Sequence, residues 1–153
     1  MYMRVLVAED LHQIRRFGLA PNEQSWPEEA LLEALQSRLK GTYQVMVAVD
    51  ETTDQVIAYA IASYVLDQAD VQQILVNRCF RGQGIGKRLL QSLITELVHL
   101  GVTNVFLEVR PSNQVAVNLY CSMGFKCIQK RKDYYPGLES RREDAWVFSQ
   151  AYR

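Results

Sequence analysis

The alternation of apolar and polar positions divides the chain into segments with strand or helix periodicity. The segments Gln44 to Val49 and Gln55 to Val65 are rich in β-branched and aromatic residues, and they flank the polar stretch Asp50 to Asp54. This pattern predicts an antiparallel hairpin. The segment Asp70 to Asn77 predicts a further strand.

Helical periodicity lies on both sides of these strands. The segment Trp26 to Glu29 has a proline in the first turn and acids near the positive end of the dipole, which is typical of a helix start. A longer helix is predicted from about Gly84 to Leu100, with Gly101 as its C-terminal stop. Its apolar residues recur every third or fourth position and form one face: Leu89, Leu90, Leu93, Ile94, Leu97 and Val98.

The last third of the chain alternates between strand and helix. The segment Asn104 to Val109 is a nearly unbroken apolar run of strand type, and a short helix is predicted from about Asn113 to Gly124. Strands follow at Phe125 to Gln129 and around Ala145 to Ser149. On the short helix, apolar residues lie four apart: Val115, Leu119 and Met123. The order predicts an α/β protein, a mixed sheet with helices packed on it, as one domain over residues 1–153.

Composition limits the classes of partner. The chain has 17 basic and 17 acidic residues among 153, so it has no excess charge with which to hold nucleic acid or an anionic membrane. No apolar stretch approaches the ~20 residues that span a bilayer, and we expect a cytoplasmic protein. The cysteines lack metal-binding spacing, so we expect free thiols and no metal site: Cys79, Cys121 and Cys127.

The most informative segment is Arg81-Gly82-Gln83-Gly84-Ile85-Gly86-Lys87-Arg88, where a strand gives way to a helix. Glycines let the backbone approach a ligand closely, and the first amides of a helix are unpaired donors, so the segment suits an anion. The dinucleotide pattern GxGxxG fails at Lys87, and the phosphate-loop pattern GxxxxGK[ST] fails at Arg81 and at Arg88.

Positive side chains are unusual in the first turn of a helix. Lys87 and Arg88 are disfavoured there by about 0.3 to 1 kcal/mol each at low salt, which indicates a compensating anion. With Arg78 and Arg81, four cations surround the glycines, and a pyrophosphate with an additional phosphate would satisfy them. The alternative is a tight turn with solvated cations.

The motif Arg81-x-x-Gly84-x-Gly86 resembles the acetyl-CoA-binding motif (Q/R)xxGx(G/A) of the GCN5-related N-acetyltransferases, the GNAT superfamily. Within it, residues 55 to 150 are similar to the RimI group, which acetylates N-terminal alanines of ribosomal proteins. The similarity extends over Ile74-Leu75-Val76, Leu107 to Asn113, Leu119-Tyr120, Met123-Gly124-Phe125, Asp133 to Pro136 and Arg142 to Ala145. The resemblance implies a mostly antiparallel sheet with splayed central strands, acetyl-CoA as donor, and a protein N-terminus, such as that of ribosomal protein S18, as acceptor.

Two residues suit the chemistry of acetyl transfer to an amine, which needs a general base and a proton donor. Glu108 interrupts an apolar run at the carboxyl end of its strand, where we expect apolar surroundings, and the resemblance makes it the base. The alternative is a strand-end residue paired with Arg110 or another cation. The resemblance makes Tyr120 the proton donor to the coenzyme A sulfur, although a tyrosine on an amphipathic helix is more often a core residue.

The resemblance also assigns contacts to the cofactor and the acceptor. The backbone of Leu75 and Val76 is expected to bond the pantetheine, and the amides from Gly82 to Lys87 the pyrophosphate. Asn113 is expected to contact the pantetheine or the pyrophosphate arm while it caps its helix. No metal is required. Three aromatic residues are candidates for the acceptor slot, although the tyrosine pair is as readily a packed hairpin end: Trp26, Tyr134 and Tyr135.

The chain departs from the RimI pattern where Val76-Asn77-Arg78 replaces Val-x-Pro and where Leu75 replaces a small residue. Neither change removes a catalytic group, but both bear on the geometry of the loop and of the acceptor pocket, and so on the choice of a ribosomal protein as acceptor. Two other functions therefore stay open at this point, acetylation of a small-molecule amine and noncatalytic sensing of acyl-CoA.

Overall fold

A seven-stranded sheet forms the centre of the computed structural model, with strand order β1-β2-β3-β4-β5-β7-β6. The structure describes residues 1–17, 26–38, 41–136 and 142–153. The strands are β1 (Tyr2–Val5), β2 (Tyr43–Asp50), β3 (Gln55–Val65), β4 (Gln68–Val76), β5 (Asn104–Val109), β6 (Lys126–Pro136) and β7 (Arg142–Ala151). The helices are α1 (Leu11–Ile14), α2 (Glu28–Arg38), α3 (Ile85–His99) and α4 (Gln114–Ser122), with single 3-10 turns at Ala8–Asp10 and Arg78–Phe80.

The predicted mixed sheet with flanking helices is confirmed. The β2–β3 hairpin, β5, α3 and α4 lie where periodicity places them, to within about two residues. Periodicity missed β1, which is only four residues long and pairs with β2 at the sheet edge. It also underestimated β6 and β7, because polar residues continue both strands beyond the core.

The two central strands separate. Among the pairings in the described ranges, β4 and β5 form the parallel one, which runs from Gln68 opposite Asn104 to Val71 opposite Leu107. Beyond Val71, β4 continues to Val76 paired with β3 alone, and β5 continues to Val109 paired with β7 alone. We call this gap the β4–β5 opening.

A β-bulge lies where the opening begins. In the β3–β4 ladder, Ile61 pairs with Gln73 and Ala62 with Val71, so Gln72 is the extra residue. A bulge bends its strand and increases the local twist, which turns the end of β4 away from β5.

Both faces of the sheet are covered by helices. On one face, β3 presents a row of small residues to α3, and the buried helix residues Leu89 and Leu93 pack there with 0% exposure. On the other face, Tyr59 and Leu75 pack with residues of α1 and α2. Because both faces are buried, β3 reads as a continuous apolar run. The row of small residues consists of Ala58, Ala60 and Ala62.

The apolar face predicted for α4 was wrong in one position. Val115 is 83% exposed, whereas Val117 and Tyr120 are buried. Tyr120 packs against Phe125 and Phe148, and this contact rotates Val115 toward solvent. Packing of the large ring outweighs the four-residue spacing of the smaller side chains.

Candidate active site

The segment that carries Gly82 and Gly84, which we call the glycine loop, connects β4 to α3 at the edge of the β4–β5 opening. Gly82 and Gly84 have φ of +77° and +75°, a left-handed conformation that residues with a side chain rarely adopt. A Cβ at either position would meet nothing within 4 Å. The backbone conformation, rather than lack of space, therefore requires glycine at both.

Gly86 has a different role. A Cβ there would lie 3.7 Å from Val76 Cγ2 and 3.8 Å from Leu119 Cδ2, which is ordinary van der Waals contact. Alanine therefore fits at this position, in agreement with the (G/A) of the family motif. The small residue also lets the start of α3 lie against both β4 and α4.

The N-terminus of α3 presents unpaired amides. The Arg88 amide donates to the Gly84 carbonyl at 3.2 Å, which is the first bond of the helix. The amides of Ile85, Gly86 and Lys87 precede it and have no acceptor within the helix. These donors lie at the positive end of the helix dipole, so the loop fits a diphosphate.

The four cations around the glycines do not form one cluster. Arg81 Nε donates to the Val76 carbonyl at 3.1 Å and fixes the loop to the end of β4. Lys87 lines a surface cleft with Ser122, whereas Arg88 lines another cleft with Met1. Arg81 therefore has a structural contact, and Lys87 and Arg88 reach different sides of α3.

Glu108 lies on the face of β5 opposite α3. Leu107 and Val109 are buried against the α3 side, so alternation directs Glu108 to the other side. The expected apolar surroundings are wrong. Its side chain is 33% exposed, and Arg131 Nη1 lies 3.0 Å from Glu108 Oε1. The alternative of an ion pair with Arg110 or another cation is observed, with Arg131 as that cation.

Asp70 is a residue that sequence reasoning missed as a site candidate. It lies opposite Phe106 in the parallel pairing, one residue before the opening, and so on the same face as Glu108. Asp70 is exposed, but partial desolvation of its carboxyl and the nearby negative charge of Glu108 raise its pKa above the ordinary value. The sequence offered no comparable signal, because β4 also carries Gln68, Gln72 and Gln73, so a polar residue at position 70 does not stand out.

Tyr120 combines a core ring with an available hydroxyl. Its ring lies edge-on to Phe125 at 6.0 Å and is tilted against Phe148 at 6.4 Å. Burial raises the pKa of Tyr120 to about 12, so the hydroxyl stays protonated at neutral pH. It has no hydrogen-bond partner within the described part of the chain. The residue can therefore serve as core and as proton donor.

Asn113 caps α4, as its position predicts. Its Oδ1 accepts from the Ala116 amide at 3.2 Å, which satisfies one of the unpaired donors of the first turn. The cap fixes where α4 begins after β5.

The three acceptor candidates lie on different elements. The Trp26 amide donates to the Tyr59 hydroxyl at 3.1 Å, and Tyr59 in turn donates to Gln73 on β4. Tyr134 is 47% exposed, with the Arg131 guanidinium 5.4 Å from its ring centre. Tyr135 lies in β6, and its side chain is outside the described residues. The structure thus links Trp26 to the opening through Tyr59.

Two further observations concern the whole described chain. Cys79, Cys121 and Cys127 are free and exposed. In the described ranges, the helices are too short or too polar to cross a membrane.

Comparison with known proteins places this geometry in a family. The model of the acetyltransferase (GNAT) family matches residues 9–125. The ribosomal protein bS18-alanine N-acetyltransferase of Haemophilus ducreyi is 34% identical over 150 residues, which cover 96% of this chain and 97% of that protein.

Solved structures are similar over nearly the whole chain. The ribosomal-protein-S18-alanine N-acetyltransferase from Escherichia coli superposes with a TM-score of 0.81 at 32% identity, covering 98% of this chain and 92% of the other. A phosphinothricin acetyltransferase from Sinorhizobium meliloti, solved with acetyl-CoA, superposes with a TM-score of 0.78 at 27% identity, covering 98% of this chain and 87% of the other. The chain belongs to the GNAT acetyltransferase family and is an N-acetyltransferase that uses acetyl-CoA.

Proposed function

We propose that this N-acetyltransferase acts on the α-amino group at a protein N-terminus, and that ribosomal protein S18 is its acceptor. The observation that carries the proposal is similarity over almost the full length of the chain. The identity is 34% across 150 residues to the Haemophilus ducreyi enzyme that is named as an N-acetyltransferase of the alanine of ribosomal protein bS18. The sequence departures at Leu75 and Asn77 do not interrupt this similarity.

The cofactor site is formed by backbone at the β4–β5 opening. The end of β4, including Leu75 and Val76, lacks a strand partner on the β5 side, so its backbone can bond an extended pantetheine as an added strand would. The amides from Gly82 to Lys87 bind the pyrophosphate without a metal. Bound acetyl-CoA supplies an acetyl group activated as a thioester.

Glu108 acts as the general base. The acceptor arrives mostly as an ammonium ion, and its nitrogen must lose a proton before it attacks a carbonyl carbon. Glu108 Oε atoms lie at the carboxyl end of β5, on the strand across the opening from the glycine loop. The carboxylate accepts the proton directly or through water, while Arg131 holds it in place.

Tyr120 acts as the general acid. Its hydroxyl is protonated at neutral pH because burial raises its pKa to about 12, and it can give this proton to a departing thiolate. The ring contacts with Phe125 and Phe148 hold the hydroxyl in one orientation. Trp26, Tyr134 and Tyr135 contribute to the acceptor slot.

An acceptor panel tests the proposal. Purified protein is given acetyl-CoA and a peptide with the N-terminal sequence of S18, the same peptide with its α-amine blocked and a lysine free, and a set of small amines. We expect the free S18 peptide to have the highest kcat/KM and the blocked peptide to be inert. Faster turnover of a small amine would overturn the N-terminal assignment.

The second candidate function is acetylation of a small amine. The observation that favours it is the similarity to phosphinothricin acetyltransferase over 98% of this chain. Mass spectrometry of cellular N-termini, with and without the gene, separates the two. Loss of acetylation at the S18 N-terminus is expected, and unchanged acetylation there would favour the small amine.

A further inference from the structure

We propose that Asp70 is a positioning residue for the acceptor, whose carboxylate binds the positively charged amine together with Glu108 across the β4–β5 opening. The inference rests on the proposed function in one respect, that an amine enters at this opening. It adds a second acidic residue, on β4, to the base on β5.

The strand register places the two carboxylates together. Val71 and Leu107 are paired and both face the α3 core. Their preceding neighbours, Asp70 and Phe106, are also paired and therefore face the opposite side, and Glu108 follows Phe106 on that side two positions further along β5. The strands separate immediately beyond this point, so both acids lie at the inner end of the opening.

The surroundings of Asp70 favour a cation. Glu108 has Arg131 as an ion-pair partner at 3.0 Å, whereas the side chain of Asp70 has no ion pair or hydrogen bond within the described ranges. The residue is exposed at the sheet surface, and its pKa is raised by partial desolvation and by the negative charge of Glu108, which lies close enough to contribute. An ammonium group compensates the negative charge and offers three donors to the two carboxylates.

Other polar groups on this face of β4 form hydrogen bonds that do not involve the Asp70 side chain. Gln73, the next residue of β4 on that face after the bulge, is bonded by Tyr59, which also holds the Trp26 amide. Buried Tyr59 thus holds Gln73 and the Trp26 backbone in place on this face.

Binding of an acceptor to the protein saturated with coenzyme A tests the proposal without turnover. The S18 N-terminal peptide is titrated calorimetrically into wild type, Asp70→Asn and Asp70→Glu. The same peptide with an acetylated α-amine is the neutral probe. Asp67→Asn, at an exposed acid in the β3–β4 turn, is the matched control.

We expect Asp70→Asn to weaken binding of the free-amine peptide roughly three- to tenfold and to leave binding of the acetylated peptide and of coenzyme A unchanged. Asp70→Glu retains most of the affinity. In steady-state assays, Asp70→Asn raises the acceptor KM more than it lowers kcat. Equal affinity of Asp70→Asn and wild type for the free amine, or equal loss for both peptides, would overturn the proposal.

Failure of the N-terminal assignment is recognised separately. If wild type binds and acetylates only small amines, the assignment to S18 is wrong, and Asp70 is tested with the best small amine against its uncharged alcohol analogue. A selective loss for the amine still supports Asp70, and no selective loss overturns it.

Discussion

Arg131 and Glu108 meet over an intervening strand, with Arg131 Nη1 3.0 Å from Glu108 Oε1. The two residues are 23 positions apart and lie on β6 and β5, which do not pair with each other because β7 lies between them. On β7, Val147 lies opposite Glu108 and Ala145 lies opposite Arg131. Because paired residues share a face of the sheet, the arginine reaches the carboxylate across the face of β7 that carries Val147 and Ala145.

Replacement of Arg131 tests whether this contact positions the base. We expect Arg131→Gln to lower kcat on the order of tenfold, because a carboxylate released from its partner spends less time in the reactive position. The melting temperature should change little, since an exposed ion pair contributes about 0 to 1 kcal/mol. Lys130→Gln is the control, since Lys130 is the neighbouring cation on β6 but lies over the Trp146 ring, on the opposite face of the strand from Arg131. Equal kcat for both variants would mean that the pair has no positioning role.

Glu108→Gln tests the base directly. We expect kcat to fall by about 10² to 10⁴, with the affinity for acetyl-CoA and the free energy of unfolding unchanged, because the substitution conserves shape at a partly exposed site. Glu33→Gln, at an exposed position of α2, should behave as wild type. A retained kcat in Glu108→Gln would assign the proton transfer to another group, with Asp70 as the first candidate.

Tyr120→Phe separates the hydroxyl from the ring. We expect kcat to fall about 100-fold, while the free energy of unfolding at pH 7 stays within about 1 kcal/mol, because the hydroxyl has no partner in the part of the chain that the structure describes. Circular dichroism during urea unfolding gives the stability. A large destabilisation with unchanged kcat would make Tyr120 a core residue alone.

The raised pKa of Tyr120 also predicts a pH dependence of stability. The phenol ionises near 10 in the unfolded chain and near 12 in the folded one. Its contribution is complete below pH 10 and is lost as pH rises to 12, by about 3 kcal/mol. The free energy of unfolding of wild type should therefore fall more steeply over this interval than that of Tyr120→Phe. Parallel curves would contradict the burial of this hydroxyl.

Two alanine substitutions in the glycine loop should differ sharply. Gly84→Ala places a side chain at φ +75°, which costs about 1 to 2 kcal/mol and should also weaken acetyl-CoA binding by displacing the amides. Gly86→Ala meets only ordinary contacts with Val76 and Leu119 and should be nearly neutral. Urea unfolding and calorimetric titration measure both effects, and equal losses would contradict the conformational explanation.

The sequence by itself determined the β2–β3 hairpin, β5, the long helix α3, the glycine loop and the acetyltransferase family, although it missed β1 and the ends of β6 and β7. Periodicity is a local property, so the repeats of α3 and the apolar run of β5 predict those elements within a residue or two. The loop is equally local, because the need for glycine at Gly82 and Gly84 comes from their own backbone angles. Cap formation by Asn113 depends only on residues three positions away.

Tertiary structure alone decided where β4 and β5 separate, that Glu108 pairs with Arg131, that Asp70 lies beside Glu108, and that Val115 faces solvent. Each depends on strand register or on packing between residues distant in sequence, neither of which periodicity specifies. A carboxylate in an apolar strand gives the same pattern whether its neighbours are apolar or charged. Only the order of β5, β7 and β6 in the sheet brings the guanidinium to it.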